Sequence, residues 1–292
     1  MSRWALMATL VLSACATLPP LPDWQAPDGR GDEALGRILD LRDGSHLTPA
    51  ELVERLAAAP RVLVGEQHDN PDHHALEQWL LRALETRRPQ GGVLLEMLVP
   101  AQQAPVDAAR EAFARGQPPA ELERALAWQK GWDWALYGPL VRYALRRPYP
   151  LLAANLDRSE VMDIYERRPS LAGRVSTAGP VRDALRTQIR DAHCGLLPED
   201  QLPAMLAVQQ QRDRRMAERL LAAPEPALLF AGAYHVRRDL GVPLHARDLR
   251  PGAREVVVIL SEVGKEVSPQ AADYVWYTAA MPEQDYCAAL RP

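Results

Sequence analysis

Glu66, His68, Asp69, Asp72, His73 and His74 fall within nine residues of one another, in the segment Gly65–Glu66–Gln67–His68–Asp69–Asn70–Pro71–Asp72–His73–His74. A second imidazole lies in Gly232–Ala233–Tyr234–His235–Val236–Arg237, and a lone carboxylate, Glu96, interrupts the apolar run Gly92–Val93–Leu94–Leu95–Glu96–Met97. Imidazole and carboxylate brought to one place can bind a metal, work as acid and base, or hold an acidic cofactor. A carboxylate seldom enters a buried strand end without a partner. That argument singles out Glu66, His68, Glu96 and His235 as the candidate catalytic cluster. Glycine before each histidine block permits a tight turn or a close backbone approach. Asp72 reads as a helix cap, His74 as a first-turn residue of a surface helix, and Asp157 as a cap for a helix starting at Arg158. The chain has no His-Glu-x-x-His, no Cys-x-x-Cys, no Gly-x-Ser-x-Gly elbow and no P-loop, so spacing alone establishes neither a metal site nor a serine nucleophile.

The elements that must carry these residues follow from hydrophobic patterning. Continuous apolar runs occur at 61–65, 92–97, 150–155, 227–232 and 255–260, separated by longer amphipathic stretches. Such runs are what a parallel sheet covered on both faces requires. Helices are expected over 73–87, 105–115, 119–128, 134–146 and 198–222. The fold class is therefore α/β: a mostly parallel β-sheet flanked by helices, with a smaller helical subdomain inserted. Helical excursions are placed at about 100–147 and 158–222. The candidate residues all sit at or just beyond strand ends, where open α/β sheets bind ligands.

The N-terminus carries a different signal. Arg3, the apolar run Trp4–Leu12 and Leu12–Ser13–Ala14–Cys15 have the charged, apolar and small-residue parts of an export signal closed by a lipobox. The run is shorter than the ~20 residues that span a bilayer. Residues 1–15 thus read as a lipoprotein signal ending in the lipobox Cys15, with cleavage expected before Cys15, whose acylation would anchor the chain in the cell envelope through outer-membrane lipid. Ala16, rather than aspartate, after the cysteine favours the outer membrane over the inner one. Residues 16–37, rich in Pro, Gly and Asp, are expected to form a flexible tether before a domain over 38–292. At 292 residues, 47% hydrophobic and 25% charged, the chain can bury a sizeable core. A net charge of −4 with no basic run argues against nucleic acid. Cys194 and Cys287 can form one disulfide in an oxidising compartment, but spacing leaves their pairing open.

Several blocks together resemble a known family. V-L-V-G-E-Q-H-D-N-P-D-H-H, L-L-E-M, W-D-W-A-L-Y-G-P-L-V-R-Y-A, A-A-N-L-D-R, Q-Q-Q-R-D-R-R-M-A and A-G-A-Y-H-V-R-R-D-L-G-V-P, in this order behind a lipobox, resemble the ChaN-like haem-binding lipoproteins. That family lies within a wider superfamily of Tiki proteases and erythromycin-esterase-like enzymes. The resemblance runs from about residue 38 to the C-terminus. It implies an α/β core with a smaller helical part, a role in haem or iron uptake, haem as ligand, a haem-uptake receptor as partner, and a homodimer enclosing paired haems face to face. Tyr234 departs from the pattern, standing where a small residue is commoner. Without Cys-x-x-Cys-His, haem attachment must be non-covalent. An axial His or Tyr, apolar walls and cations for the propionates are then needed. The candidates are Tyr137, Tyr234, His235, His73 and Arg237, with His68 and Arg238 in reserve. Two function classes follow: a haem carrier, or a hydrolase using Glu66, His68, Glu96 and His235, with or without a divalent metal. A third reading has the cluster only bracing the strand ends.

Overall fold

The computed structural model describes residues 17–285 and 287–288. The export signal and Cys15 lie outside the described residues. Eight strands, β1 Ile38–Asp40, β2 His46–Leu47, β3 Arg61–Glu66, β4 Gly92–Leu95, β5 Leu151–Ala153, β6 Ala227–Gly232, β7 Val256–Glu262 and β8 Tyr274–Thr278, form one sheet in the order β2-β1-β8-β7-β3-β6-β4-β5. From β8 to β5 every pair is parallel, while β1 runs antiparallel to β8 and β2 antiparallel to β1. The fold is thus the expected mostly parallel α/β sheet, with five of its strands at the five apolar runs. Strands β1, β2 and β8 were not foreseen, because two or three residues give no period and Tyr274–Thr278 lacks a long apolar run.

Helices α1 Pro49–Ala57, α2 Pro71–Glu85, α3 Gln103–Ala114, α4 Leu122–Ala125 and α5 Trp134–Ala144 precede β5; α6 Arg158–Arg167, α7 Gly179–Ala192 and α8 Leu202–Ala222 precede β6; α9 Ala233–Val236 and α10 Val242–Leu249 follow it. Side chains alternate across the central strands. Val62, Val64, Val93, Leu95 and Phe230 enter one core with Leu52, Leu76, Leu80 and Leu140 from α1, α2 and α5. Leu63, Leu94, Leu229 and Ala231 enter another with Met216, Ala217 and Leu220 from α8 and Val242 and Ala246 from α10. Burial on both faces explains the unbroken apolar runs. The helix expected over 119–128 shortens to the single turn α4, because Ala127 adopts a left-handed φ of 47°. At the start of α2, Asn70 rather than Asp72 is the cap: its side-chain oxygen accepts the Asp72 N–H at 2.9 Å.

Asp72 is instead 1% exposed, and its carboxylate accepts the Gln25 and Ala26 N–H groups at 2.6 and 3.2 Å. Residues 17–37, expected as a flexible tether, are laid over the domain by this contact, by the Trp79 indole donating to the Pro19 carbonyl at 2.9 Å and by a bridge between Asp28 and Ala280. At the other end of the chain, Cys194 and Cys287 are joined in a disulfide, with Cα atoms 5.6 Å apart. No helix among the described residues is long and apolar enough to cross a membrane.

Candidate functional site

The parallel register places Glu66 opposite Gly232 at the ends of β3 and β6. Glu66 is fully buried, and its Oε1 meets His68 Nδ1 at 2.5 Å and accepts the Tyr137 hydroxyl at 3.0 Å. With Nδ1–H given to Glu66, the His68 Nε2 is left facing Gly232, where an added Cβ would stand 3.0 Å away. Burial lowers the pKa of His68, but the hydrogen bond and charge of Glu66 outweigh it and leave it raised. The imidazole is 47% exposed, whereas Glu66 Oε2 is buried with no hydrogen-bond partner.

A second carboxylate–imidazole group adjoins the first. Glu96, one residue past β4, accepts the Gly232 N–H through Oε2 at 2.8 Å and faces His235 Nε2 through Oε1 at 3.3 Å. On the other side of the ring, Nδ1 lies 2.5 Å from Asp213 of α8, and Gln209 approaches both at 3.2 and 3.4 Å. Burial alone would deprotonate His235, yet the charges of Glu96 and Asp213 push it up to about 10. Conversely, His235 and His68 hold Glu96 well below the usual carboxylate range despite its burial. An imidazolium is thus clasped between two carboxylates. Gly65 lets α9, which carries His235, lie against β3, since a Cβ there would fall 2.4 Å from Val236 and 2.9 Å from the Ala233 backbone.

Glu66, His68, Glu96 and His235 therefore meet at one rim, joined through Gly232. The pattern missed Asp213 and Gln209. A signal existed for Asp213: it lies on the buried stripe of α8 with Met216, Ala217 and Leu220, where a carboxylate needs a partner just as at a strand end.

Beside the cluster opens a cleft of about 330 Å³, lined by Glu66, His68 and Gly232 together with Tyr234, Arg237, Ile259, Lys265 and Val267. Tyr234 is 58% exposed on the one-turn helix α9. Arg237 is paired with Asp239 at 2.7 Å, and Lys265 with the buried Glu262 at 2.6 Å while donating to Gln67.

Three haem candidates are closed to iron by burial or by their partners, although His73 is among the residues lining the cleft. His73 is fully buried, its Nδ1 accepting the Gln67 N–H at 2.8 Å and its Nε2 donating to Thr278 Oγ1 at 2.9 Å. Burial drives its pKa well down, so it is a neutral strut between α2 and β8 rather than a ligand. Tyr137 is 1% exposed; burial and the neighbouring carboxylates raise its pKa far above the usual phenol range, which opposes a phenolate. Both nitrogens of His235 are occupied by carboxylates. His74, expected on a surface, is buried too: its Nε2 donates to the His68 carbonyl at 3.1 Å and its ring meets Tyr137 edge-on at 4.3 Å. Among the described residues, no three His, Cys, Asp or Glu side chains are grouped to hold a metal ion.

Residues 52–245 match the family described as haem-binding uptake, Tiki superfamily, ChaN. The structure of ChaN from Campylobacter jejuni with cofacially bound haem shares 33% identity over 82% of this chain and 95% of its own, with a TM-score of 0.76. An erythromycin esterase in its open conformation (14% identity, 78% of each chain, TM-score 0.43) and a MARTX toxin effector domain from Vibrio vulnificus (16%, 82% of this chain and 39% of that one, 0.42) are more distant. No curated protein matches the chain.

Proposed function

Because this chain belongs to the ChaN haem-binding uptake family of the Tiki superfamily, we propose that it carries haem non-covalently at the cleft mouth, with Tyr234 as the iron ligand and a second copy of the chain covering the outer face. The observation that carries the assignment is the exposure of the Tyr234 phenol at the cleft, against the burial of Tyr137, His73 and His235. The residues present fit the group: a reachable phenol, an apolar wall of Ile259 and Val267, and the cations of Arg237 and Lys265 for two carboxylates. When bound, haem supplies a ferric centre that takes an oxygen ligand. Arg237 and Lys265, paired here with Asp239 and Glu262, would hold the propionates, while Glu66 and Glu96 are each turned to an imidazole, His68 and His235. The open mouth and the cofacial haem of the Campylobacter jejuni protein support the two-copy arrangement. The export signal and Cys15 support anchoring by lipid on the outer membrane, from which haem would pass to an uptake receptor.

Haemin titration of residues 16–292, followed by absorption and size exclusion, tests this. Saturable binding with a tyrosinate-type spectrum, lost in Tyr234→Phe, and a haem-dependent doubling of mass are expected. A spectrum unchanged in Tyr234→Phe would remove the ligand assignment, and unsaturable binding would remove the carrier.

One observation favours a second reading. His68, half-exposed in the cleft lining with its Nδ1 held by the buried Glu66, is placed to take a proton from a water without a metal. Ester cleavage abolished by Glu66→Gln with haem stoichiometry unchanged would establish it; no cleavage by the unaltered protein would dismiss it.

A further inference from the structure

The first described residues limit how far the body of the protein can stand from its lipid. Leu18 already packs against the core beneath α2, and the Pro19 carbonyl accepts the Trp79 indole N–H. From there the segment climbs α2 to Asp72, which holds Gln25 and Ala26. Arg30 donates back to the Trp24, Gln25 and Ala26 carbonyls and closes the turn. Pro19, Pro20 and Pro22 fix φ along the climb and stiffen it. Only three covalent steps separate Cys15 from Leu18, a reach of at most about 11 Å even fully extended. The acyl chains of a lipidated Cys15 lie inside the bilayer, so that reach is largely used within the headgroup layer. At the point of exit stand Thr17, Pro20 and Leu21, all exposed, with Leu21 at 49% one of the few large apolar side chains open to solvent. Arg82, one turn beyond Trp79 on α2, is exposed as well.

We propose that the protein rests on the phospholipid bilayer through the Thr17–Leu21 patch beside Trp79 of α2, instead of hanging from a loose tether. The inference rests on acylation of Cys15. Its consequence is a fixed cleft: Trp79 lies eight residues past Pro71, so the rim stands about 12 Å along α2 from the exit point. Haem would then be received and surrendered at a set height and angle above the membrane, not over a volume swept by a flexible arm. The acidic residues of the segment, Asp23, Asp28, Asp32 and Glu33, follow the patch in sequence, so the contact is an apolar one held by the anchor rather than by attraction to anionic headgroups.

The test uses the exported, lipidated protein in phosphatidylcholine vesicles containing a headgroup-nitroxide lipid. With Cys15 acylated and Cys194 bonded to Cys287, Leu21→Cys or Glu218→Cys supplies the one free thiol for a fluorophore; Glu218 is exposed on α8, across the sheet. Quenching several-fold stronger at position 21 than at 218 is expected. A Gly-Ser insertion of roughly ten residues before Thr17, with a coil span on the order of 17 Å, should bring position 21 down to the level of 218. Equal quenching in the uninserted protein, with the lipid confirmed on Cys15 by mass spectrometry, overturns the docking and leaves the anchor standing. Absence of that lipid overturns both.

Discussion

Replacing His235 by glutamine removes the one cation from between two carboxylates buried at the strand ends. Glu96 and Asp213 are 2% and 0% exposed, and His235 lies 3.3 and 2.5 Å from them. Glutamine can keep a hydrogen bond but not the charge. Removing one partner of a buried ion pair costs about 3–5 kcal/mol, because the charge left behind is uncompensated. Two carboxylates are stranded here, which places the expected loss at the upper end. The pH dependence identifies the cause. Against its burial, the charges of Glu96 and Asp213 raise His235 from 6.5 to about 10. The folded protein therefore binds this proton more tightly than the unfolded chain. Its contribution is complete below about pH 6.5 and disappears as pH climbs through about 10, with a slope of at most ~1.4 kcal/mol per pH unit. His235→Gln lacks that alkaline decline, so the stability gap should be widest near pH 6.5 and largely closed near pH 10. Urea unfolding followed by tryptophan fluorescence at both pH values measures it. A gap below about 1 kcal/mol at pH 6.5, or one that does not narrow on the alkaline side, would refute the clasped imidazolium.

Further outcomes follow from the same geometry. Tyr137→Phe deletes the hydroxyl given to Glu66 and should lower stability by about 1 kcal/mol while leaving the haemin spectrum unaltered, by urea unfolding and absorption. Gly232→Ala would set a Cβ 2.8 Å from His68 Cε1, so the ring must move. A loss of about 1–3 kcal/mol and a shifted His68 resonance and titration in NMR are expected. Cys194→Ser frees a crosslink spanning 93 residues and should cost about 2–4 kcal/mol, reproduced in the unaltered protein by reduction. Asp72→Asn weakens the hold on Gln25 and Ala26, and limited proteolysis should then cut within residues 20–30 at enzyme levels that leave the original protein intact.

Five strands and most long helices were legible because burial on both faces leaves a local trace, an unbroken apolar run, that needs no knowledge of neighbours. Glu66 and Glu96 were legible for the converse reason: a carboxylate stands out against such a run. His68 and His235 followed from their places at the same strand ends. Asp213 left only a weak trace, a carboxylate on the buried stripe of α8, because charged residues are ordinary on an amphipathic helix; only the approach of α9 shows that its partner is His235.

The sequence alone determined the α/β class, the family and the four residues of the rim. The tertiary structure decided what each could do. Tyr137 and Tyr234 are the same phenol in the sequence, but one turns inward from α5 to Glu66 and the other outward from α9 into the cleft. His73 and His68 lie five residues apart, yet one is sealed between Gln67 and Thr278 and the other is half open. Residues 17–37 have the composition of a tether, and the partners that bind part of them down, Asp72, Trp79 and Ala280, lie 46 or more residues further along the chain. Exposure and pKa are set by such distant neighbours, through desolvation and charge at a few ångströms. Local residue type carries the chemistry available, and the folded contacts select which part of it is reachable.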